Sequence, residues 1–130
     1  MSAVTTASFE QAALAPMLAE MSDTAIDDLN FGVIAFDDHG VVQRYNACES
    51  RFAGLATVRV LGQPLFTVVA PCMNNFLVAQ RFDDAAAAGT ALDDSIDYVL
   101  TLRMRPVRVK LRLLAEPGAR HRYVLVKRPG

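Results

Sequence analysis

The chain has 130 residues, of which 52% are hydrophobic and 21% charged, so its composition is that of one folded domain and excludes a disordered chain. Its formal net charge of −1 gives no general attraction to nucleic acid, and no apolar run approaches the roughly 18 residues of a membrane-spanning helix. Two cysteines without metal-ligand spacing, and no secretion signal, predict a protein of the reducing cytoplasm in which a Cys48–Cys72 disulfide is disfavoured.

The N-terminal region has the pattern of a helical cap. Ser8 and Gln11 have the spacing of a capping box, and Pro16 predicts two short helices rather than one long helix. Apolar residues recur at helical spacing at Phe9, Ala13, Met17 and Met21. We therefore expect residues 1–29 to form a cap that covers an apolar sheet face, and residues 30–130 to form the sheet domain.

The segment from residue 31 to residue 89 alternates between short strands and helices. The elements predicted there are strands at 31–37 and 41–45, helical turns at 46–52, short helices within 57–69 and a longer helix at 76–88. Asn74 or Asn75 is placed to cap the last helix, and Gly89 stands where a helix C-terminus favours glycine.

The last third predicts three strands. Apolar and polar residues alternate along 96–105 and 107–113, on either side of Pro106, and a final strand covers 123–127. The order of elements predicts an α+β domain with a five-stranded antiparallel sheet flanked by helices.

Basic residues on these strands suggest a nucleic-acid surface. They lack the interleaved aromatic residues that stack on bases, so we expect a solvated outer face of the sheet instead. The residues are Arg103, Arg105, Arg108, Lys110 and Arg112.

Three side chains are candidates for a common site. Tyr45 and Glu49 stand four residues apart, so both lean to one side if Asn46 opens a helical turn. Cys72 follows Pro71, which restricts the backbone before it. A hydroxyl, a carboxyl group and a thiol that converge in an apolar domain are suited to hold a small aromatic acid covalently.

Four motifs occur in a fixed order along the chain. They are Phe31-Gly32-Val33-Ile34, Tyr45-Asn46-Ala47-Cys48-Glu49, Val69-Ala70-Pro71-Cys72 and Val126-Lys127-Arg128. In order and separation they resemble the photoactive yellow protein family, over roughly residues 27–128. The resemblance implies that family's fold, the PAS domain.

The resemblance also implies a blue-light photoreceptor that acts in sensory transduction. Cys72 would carry 4-hydroxycinnamic acid (p-coumaric acid) as a thioester, and Tyr45 and Glu49 would hold its buried phenolate by charge-assisted hydrogen bonds. Light would turn the double bond from trans to cis. Glu49, which can donate only when it is protonated, would then pass its proton to the phenolate, and the buried carboxylate left behind would loosen the domain.

The wall of the implied pocket departs from the family. A supporting threonine, a shielding arginine and one of two paired phenylalanines are replaced by Ala53, Leu55 and Leu65. The wall residues that the resemblance assigns are Ala53, Leu55, Leu65, Phe66, Tyr98, Leu100 and Met104. Tyr98 and Met104 match the family, and the other changes predict a tuned chromophore or an altered photocycle rate.

Two other functions remain open from the sequence. The altered wall fits a PAS module without chromophore that binds a ligand or a protein. An enzyme with Cys72 as nucleophile would need His39 or His121 as base, and neither has a partner pattern, so no enzymatic activity is expected. We expect no nucleic-acid or membrane partner, an unidentified downstream signalling protein, and a monomer or weak dimer.

Overall fold

A computed structural model describes residues 7–101 and 106–129. The helices are α1 (Leu14–Glu20), α2 (Asp23–Asp27), α3 (Ala47–Ala53), α4 (Thr57–Val60) and α5 (Ala79–Ala88), with a π-helical turn at Leu65–Val69 and a 3₁₀ turn at Pro71–Met73. The strands are β1 (Gly32–Phe36), β2 (Val42–Tyr45), β3 (Leu92–Leu100), β4 (Val107–Ala115) and β5 (Arg122–Lys127).

These strands form one antiparallel sheet in the order β2–β1–β5–β4–β3. The α+β architecture predicted from the sequence is therefore confirmed, with helices against both faces of the sheet. None of the helices in the described ranges is long and apolar enough to cross a membrane.

Alternation along β5 divides the buried side chains between two cores. Val124 and Val126 face an inner core beneath α5 and the π-helical turn, whereas Tyr123 and Leu125 face an outer core. The inner core also contains Phe36, Leu65, Met73, Phe82 and Leu111. The candidate site lies on this inner side.

The N-terminal helices cover the other face of the sheet. Leu14 and Leu18 of α1 and Ile26 of α2 pack with Val33 and Leu125 in the outer core. Burial of these apolar side chains is the main force that holds the helices on the sheet. The division into a cap at 1–29 and a sheet domain at 30–130 stays a prediction.

Arg112 crosses this interface and departs from the expected solvated basic face. It is only 5% exposed, and its guanidinium donates hydrogen bonds to the backbone carbonyls of Phe9 and Gln11 and to both carboxylate oxygens of Asp93. The prediction of a solvated face is therefore wrong for Arg112, because the N-terminal segment lies over it. Arg108 and Lys110 are exposed, and Arg103 and Arg105 lie outside the described residues.

Several element boundaries differ from the prediction; among them, α5 begins at Ala79 and not at residue 76. The N-terminal helices are two, as expected, but the break falls at Met21 and Ser22 and not at Pro16, since proline in the first turn of α1 displaces no helical N–H donor. Strand β3 begins at Leu92, before the predicted residue 96, because pairing with β4 extends it through a polar stretch. The predicted part beyond residue 101 lies outside the described residues.

Candidate functional site

Asn46 opens helix α3, and this turn orients Tyr45 and Glu49. The Asn46 side-chain oxygen accepts a hydrogen bond from the backbone N–H of Glu49 at 3.1 Å, as an N-cap residue does, and a second from the N–H of Val33 at 2.9 Å. Tyr45 ends β2 opposite Ile34 of β1. Tyr45 and Glu49 are both buried, at 4% and 1% exposure.

The amide group of Asn46 also ties α3 to the elements before it. Its Nδ2 donates to the backbone carbonyls of Ile26 and Phe31, both at 3.0 Å, and the residue is 2% exposed. All the main hydrogen-bonding positions of the side chain are therefore used. This fixes the start of α3, and with it Glu49, relative to β1 and α2.

Glu49 forms a buried ion pair with Arg128, the residue after β5. The two guanidinium nitrogens Nη1 and Nη2 donate to Oε1 and Oε2 at 2.7 and 3.1 Å, and the side chains are 2% and 13% exposed. The Arg128 guanidinium also lies over the ring of Phe52, 5.2 Å from its centroid. Gly32 makes room for the pair, since a Cβ at that position would overlap Oε1 of Glu49.

The hydroxyl group of Tyr45 stays protonated in this setting. Burial raises its pKa, the neighbouring Glu49 carboxylate raises it further, and Arg128 only partly opposes them. Tyr45 is therefore a hydrogen-bond donor at neutral pH.

Cys72 lies in the 3₁₀ turn that follows the π-helical turn. Its backbone carbonyl accepts hydrogen bonds from the Tyr98 hydroxyl and, at 3.2 Å, from the Asn75 side-chain amide, and the same amide donates to the Tyr98 hydroxyl oxygen at 2.6 Å. The thiol is free and partly exposed, whereas the thiol of Cys48 is free and buried. Cys72 packs against the inner core that includes Tyr45.

The predicted wall residues lie around the same core. Leu65 and Leu100 belong to the inner core, Leu55, Phe66 and Tyr98 pack against it, and Ala53 is buried at the end of α3. Met104 lies outside the described residues. The assignment of these residues to a chromophore pocket stays a prediction.

A cleft of about 870 Å³ opens beside two residues that hold the site together. Its lining includes Tyr98, which binds the Cys72 carbonyl, and Arg128, which binds Glu49. Leu77 and Val109 contribute apolar surface. Cys72, Tyr45 and Glu49 are not among its described lining residues, so the cleft borders the candidate site without containing it.

Neither histidine contacts Cys72 in the part of the chain that the structure describes. His39 is exposed in the β1–β2 turn beside Asp38, and His121 lies edge-on to the ring of Tyr123. Burial lowers the pKa of His121, so it is neutral at pH 7. The described residues also contain no cluster of three metal-ligating side chains.

A thioester-linked 4-hydroxycinnamoyl group fits these residues at two points. Cys72 offers a free, partly exposed thiol on a fixed backbone, and Tyr45 offers a buried hydroxyl donor. Glu49 is buried, as a residue that binds a buried phenolate has to be, but both its oxygens accept hydrogen bonds from Arg128. It can turn to the phenolate only as a protonated acid released from that pair.

Sequence reasoning missed the partners that hold the site. Arg128 stood in a family motif without a role, although alternation along β5 places it on the same face as Val126. Asn75 was considered only as a helix cap, and that prediction is wrong, because the N-cap of α5 is Val78 and no side chain caps it. The Asn75 side-chain oxygen accepts from the N–H groups of Leu77 and Val78 in the turn before the helix. The contact of Asn75 with Tyr98 joins residues 23 apart, and no local pattern signals it.

Comparisons with known proteins agree with this picture. Photoactive yellow protein of Rhodothalassium salexigens is 33% identical to this chain over 111 residues, which cover 85% of this chain and 88% of that protein. Photoactive yellow protein of Halochromatium salexigens is 34% identical with the same coverage. No protein-family model matches the chain.

Solved structures show the same likeness. The photoactive yellow protein domain of the sensor histidine kinase Ppr from Rhodospirillum centenum has a TM-score of 0.79 and 35% identity, and the match covers 87% of this chain and 98% of that domain. The PAS domain of the quorum-sensing receptor RpfR from Cronobacter turicensis, at 17% identity and a TM-score of 0.61, shares the fold.

Proposed function

This chain belongs to the photoactive yellow protein family, and from that premise we propose that it is a blue-light photoreceptor that carries 4-hydroxycinnamic acid on Cys72 as a thioester. The observation that carries the proposal is the state of Cys72. Its thiol is free and partly exposed, and its backbone is held by Tyr98 and Asn75. When bound, the group supplies a conjugated phenolate that absorbs blue light and a double bond that light isomerises.

The residues of the chain bind and orient that group. Tyr98 and Asn75 hold the backbone carbonyl of Cys72, so the turn from which the thiol projects is fixed. Tyr45 donates its hydroxyl hydrogen to the phenolate oxygen, which offsets the cost of burying a charge. Glu49 is the second donor and has to be protonated in the dark.

After isomerisation, Glu49 gives its carboxyl proton to the phenolate oxygen and becomes a buried carboxylate. A change of charge at a buried group changes the balance between folded and loosened states, which is how a local event becomes a signal. The signal would pass to a separate protein in the cytoplasm by non-covalent contact.

The test is an absorption spectrum of the purified apoprotein after reaction with 4-hydroxycinnamic anhydride. We expect a visible band that bleaches under blue light and recovers in darkness, with one added acyl group located on Cys72 by mass spectrometry. Cys72→Ala should abolish the band. Cys48→Ala is the matched control, because it removes the buried thiol and should leave the band in place.

A chromophore-free PAS module is the second candidate. The contact that favours it is the Arg128 guanidinium, which binds both oxygens of Glu49, the residue that a phenolate would need. No visible band, with an unmodified Cys72, would establish this alternative and reject the photoreceptor.

A further inference from the structure

The ion pair of Glu49 and Arg128 fixes the charge of Glu49. A carboxylate accepts hydrogen bonds at both oxygens, whereas an acid carries its proton on one of them, and an arginine does not lose its own proton in a protein. Arg128 donates to both oxygens, at 2.7 and 3.1 Å, and this paired arrangement therefore belongs to ionised Glu49.

The proposed function requires the opposite state of Glu49 in the dark. A protonated Glu49 donates to the phenolate and has no charge for Arg128 to bind. Glu49 cannot donate a proton to the phenolate and form an ion pair with Arg128 at the same time, since the first requires the protonated acid and the second the carboxylate.

We propose that Arg128 is the partner of Glu49 whenever Glu49 is ionised. When Glu49 loses its proton, it forms a salt bridge with Arg128, the residue after β5. The protonated dark state of Glu49 rests on the proposed function. The ionised state rests only on the contacts between Glu49 and Arg128. This pairing gives the carboxylate left after proton transfer a built-in counterion.

Arg128 has a second contact that does not depend on Glu49. Its guanidinium lies 5.2 Å from the centroid of the Phe52 ring, where a cation is attracted whatever the charge of the carboxyl group. Phe52 is 59% exposed on α3, so Arg128 can remain on its ring when Glu49 turns away. Protonation of Glu49 then requires only that its hydrogen bonds with Arg128 break, without a rearrangement of β5.

The other groups around Glu49 do not replace Arg128. Tyr45 on β2 is neutral, and Asp27 of α2, which accepts from the N–H of Ala47 at 2.7 Å, adds negative charge near the start of α3. Arg51, on α3 itself, lies over Phe52 at 5.7 Å and is exposed. Among the described residues, Arg128 is thus the cation bound to Glu49.

The test uses the apoprotein and infrared spectroscopy of its carboxyl groups at neutral pH. The wild type should show no acid carbonyl band from Glu49. Arg128→Gln should show that band, because a buried carboxylate without a counterion takes up a proton. Glu49→Gln in the Arg128→Gln background should remove it, which assigns the band to Glu49.

Arg51→Gln is the matched control, since it removes a guanidinium from the same phenylalanine ring without touching Glu49. It should show no acid band, and Arg128→Lys, which keeps the charge, should show less than half the band of Arg128→Gln. Circular dichroism establishes that each variant is folded. An acid band from Glu49 in the wild type, its absence in Arg128→Gln, or an equal band in Arg51→Gln would overturn the proposal.

The loaded protein gives an independent measurement. The acid band of Glu49 should be present in the dark and lost in light. Arg128→Gln should recover in darkness several-fold faster, because a buried carboxylate that has lost its counterion takes its proton back more readily. Unchanged recovery would overturn the role of Arg128 after proton transfer. If Cys72 takes no chromophore, the proposed function fails, whereas the apoprotein spectra still decide the pairing of Arg128 with Glu49.

Discussion

The hydroxyl group of Tyr98 donates a hydrogen bond to the backbone carbonyl of Cys72. The Asn75 amide binds the same carbonyl and the oxygen of the same hydroxyl, so the 3₁₀ turn, the loop after it and β3 meet at one peptide group. Such a closed network holds the turn at Cys72 more firmly than either contact alone. The backbone that carries the thiol is thereby held by a strand residue 26 positions later.

Replacement of Tyr98 by phenylalanine tests this network. We expect a loss of about 1–2 kcal/mol in the free energy of unfolding, since both hydrogen bonds of the hydroxyl group disappear while Asn75 still satisfies the Cys72 carbonyl. The measurement is urea denaturation, combined with the rate at which a disulfide reagent labels Cys72, which should rise. Asn75→Ala and the double variant complete the cycle, in which the two losses should not add.

Tyr123→Phe is the control for that experiment. The hydroxyl of Tyr123 is buried near the Arg44 guanidinium but makes no hydrogen bond of ordinary geometry among the described residues, so its removal should cost less than about 0.5 kcal/mol. Equal losses for the two tyrosine variants would show that the Tyr98 contact contributes nothing specific.

The fold followed from local patterns because its strands alternate. Residues 107–113 and 123–127 gave the strands β4 and β5, and with them the faces of the sheet. The start of β3 was not predicted, because Asp93 and its polar neighbours have a low intrinsic preference for strands. Pairing with β4 overrides that preference. The sequence shows the strand preference of each residue, but it does not show which strand will pair with it.

The site was harder to predict because its contacts join distant residues. Asn46 was correctly predicted to open α3, a local event, but its bonds to Ile26 and Phe31 depend on the docked α2. Arg112 contacts Phe9, 103 residues earlier in the chain, and only the folded interface reveals why a basic residue is buried there. Local spacing carries no information about such pairs.

Arg112→Met should weaken the attachment of the N-terminal segment to the sheet. The carbonyls of Phe9 and Gln11 lose a charged donor in a buried place, which costs roughly 2–3 kcal/mol. Hydrogen exchange of the backbone amides of α1 should become faster, because the segment opens more often. Arg108→Met, on the same strand but exposed, should leave both exchange and stability unchanged.

Asp93 gives this attachment a pH dependence. The Arg112 guanidinium that binds the Asp93 carboxylate holds the pKa of that carboxyl group below its ordinary value of 3.8. A carboxyl group whose pKa is lower in the folded state contributes stability above its unfolded pKa, and this contribution is lost as the pH falls through the folded pKa.

The stability difference between wild type and Asp93→Asn should therefore be constant above about pH 5 and shrink below about pH 4, near the ordinary pKa of aspartate. Urea denaturation at a series of pH values measures it. Asp97→Asn, an exposed residue of the same strand, is the reference for the general effect of losing a carboxylate. A difference that stays constant down to about pH 3 would contradict the link between Arg112 and Asp93.

Asn46→Asp separates helix capping from the wider role of Asn46. At an ordinary N-cap, aspartate serves as well as asparagine, because either side chain offers an oxygen to the helix N–H groups. At Asn46, the amide also donates to the buried carbonyls of Ile26 and Phe31, which a carboxylate would repel. We expect Asn46→Asp to lower the free energy of unfolding by roughly 2–4 kcal/mol, nearly as much as Asn46→Ala.

Ser22→Asp supplies the comparison at the N-cap of α2. The Ser22 hydroxyl accepts from the N–H of Ala25 in an exposed setting and has no second task among the described residues, so aspartate should change stability by less than about 0.5 kcal/mol there. Since Glu49 follows Asn46 on the same turn, Asn46→Asp should also expose the Glu49–Arg128 pair to water. An Asn46→Asp variant as stable as the wild type would mean that the start of α3, and the carboxyl group it positions, is held by packing instead of by the Asn46 amide.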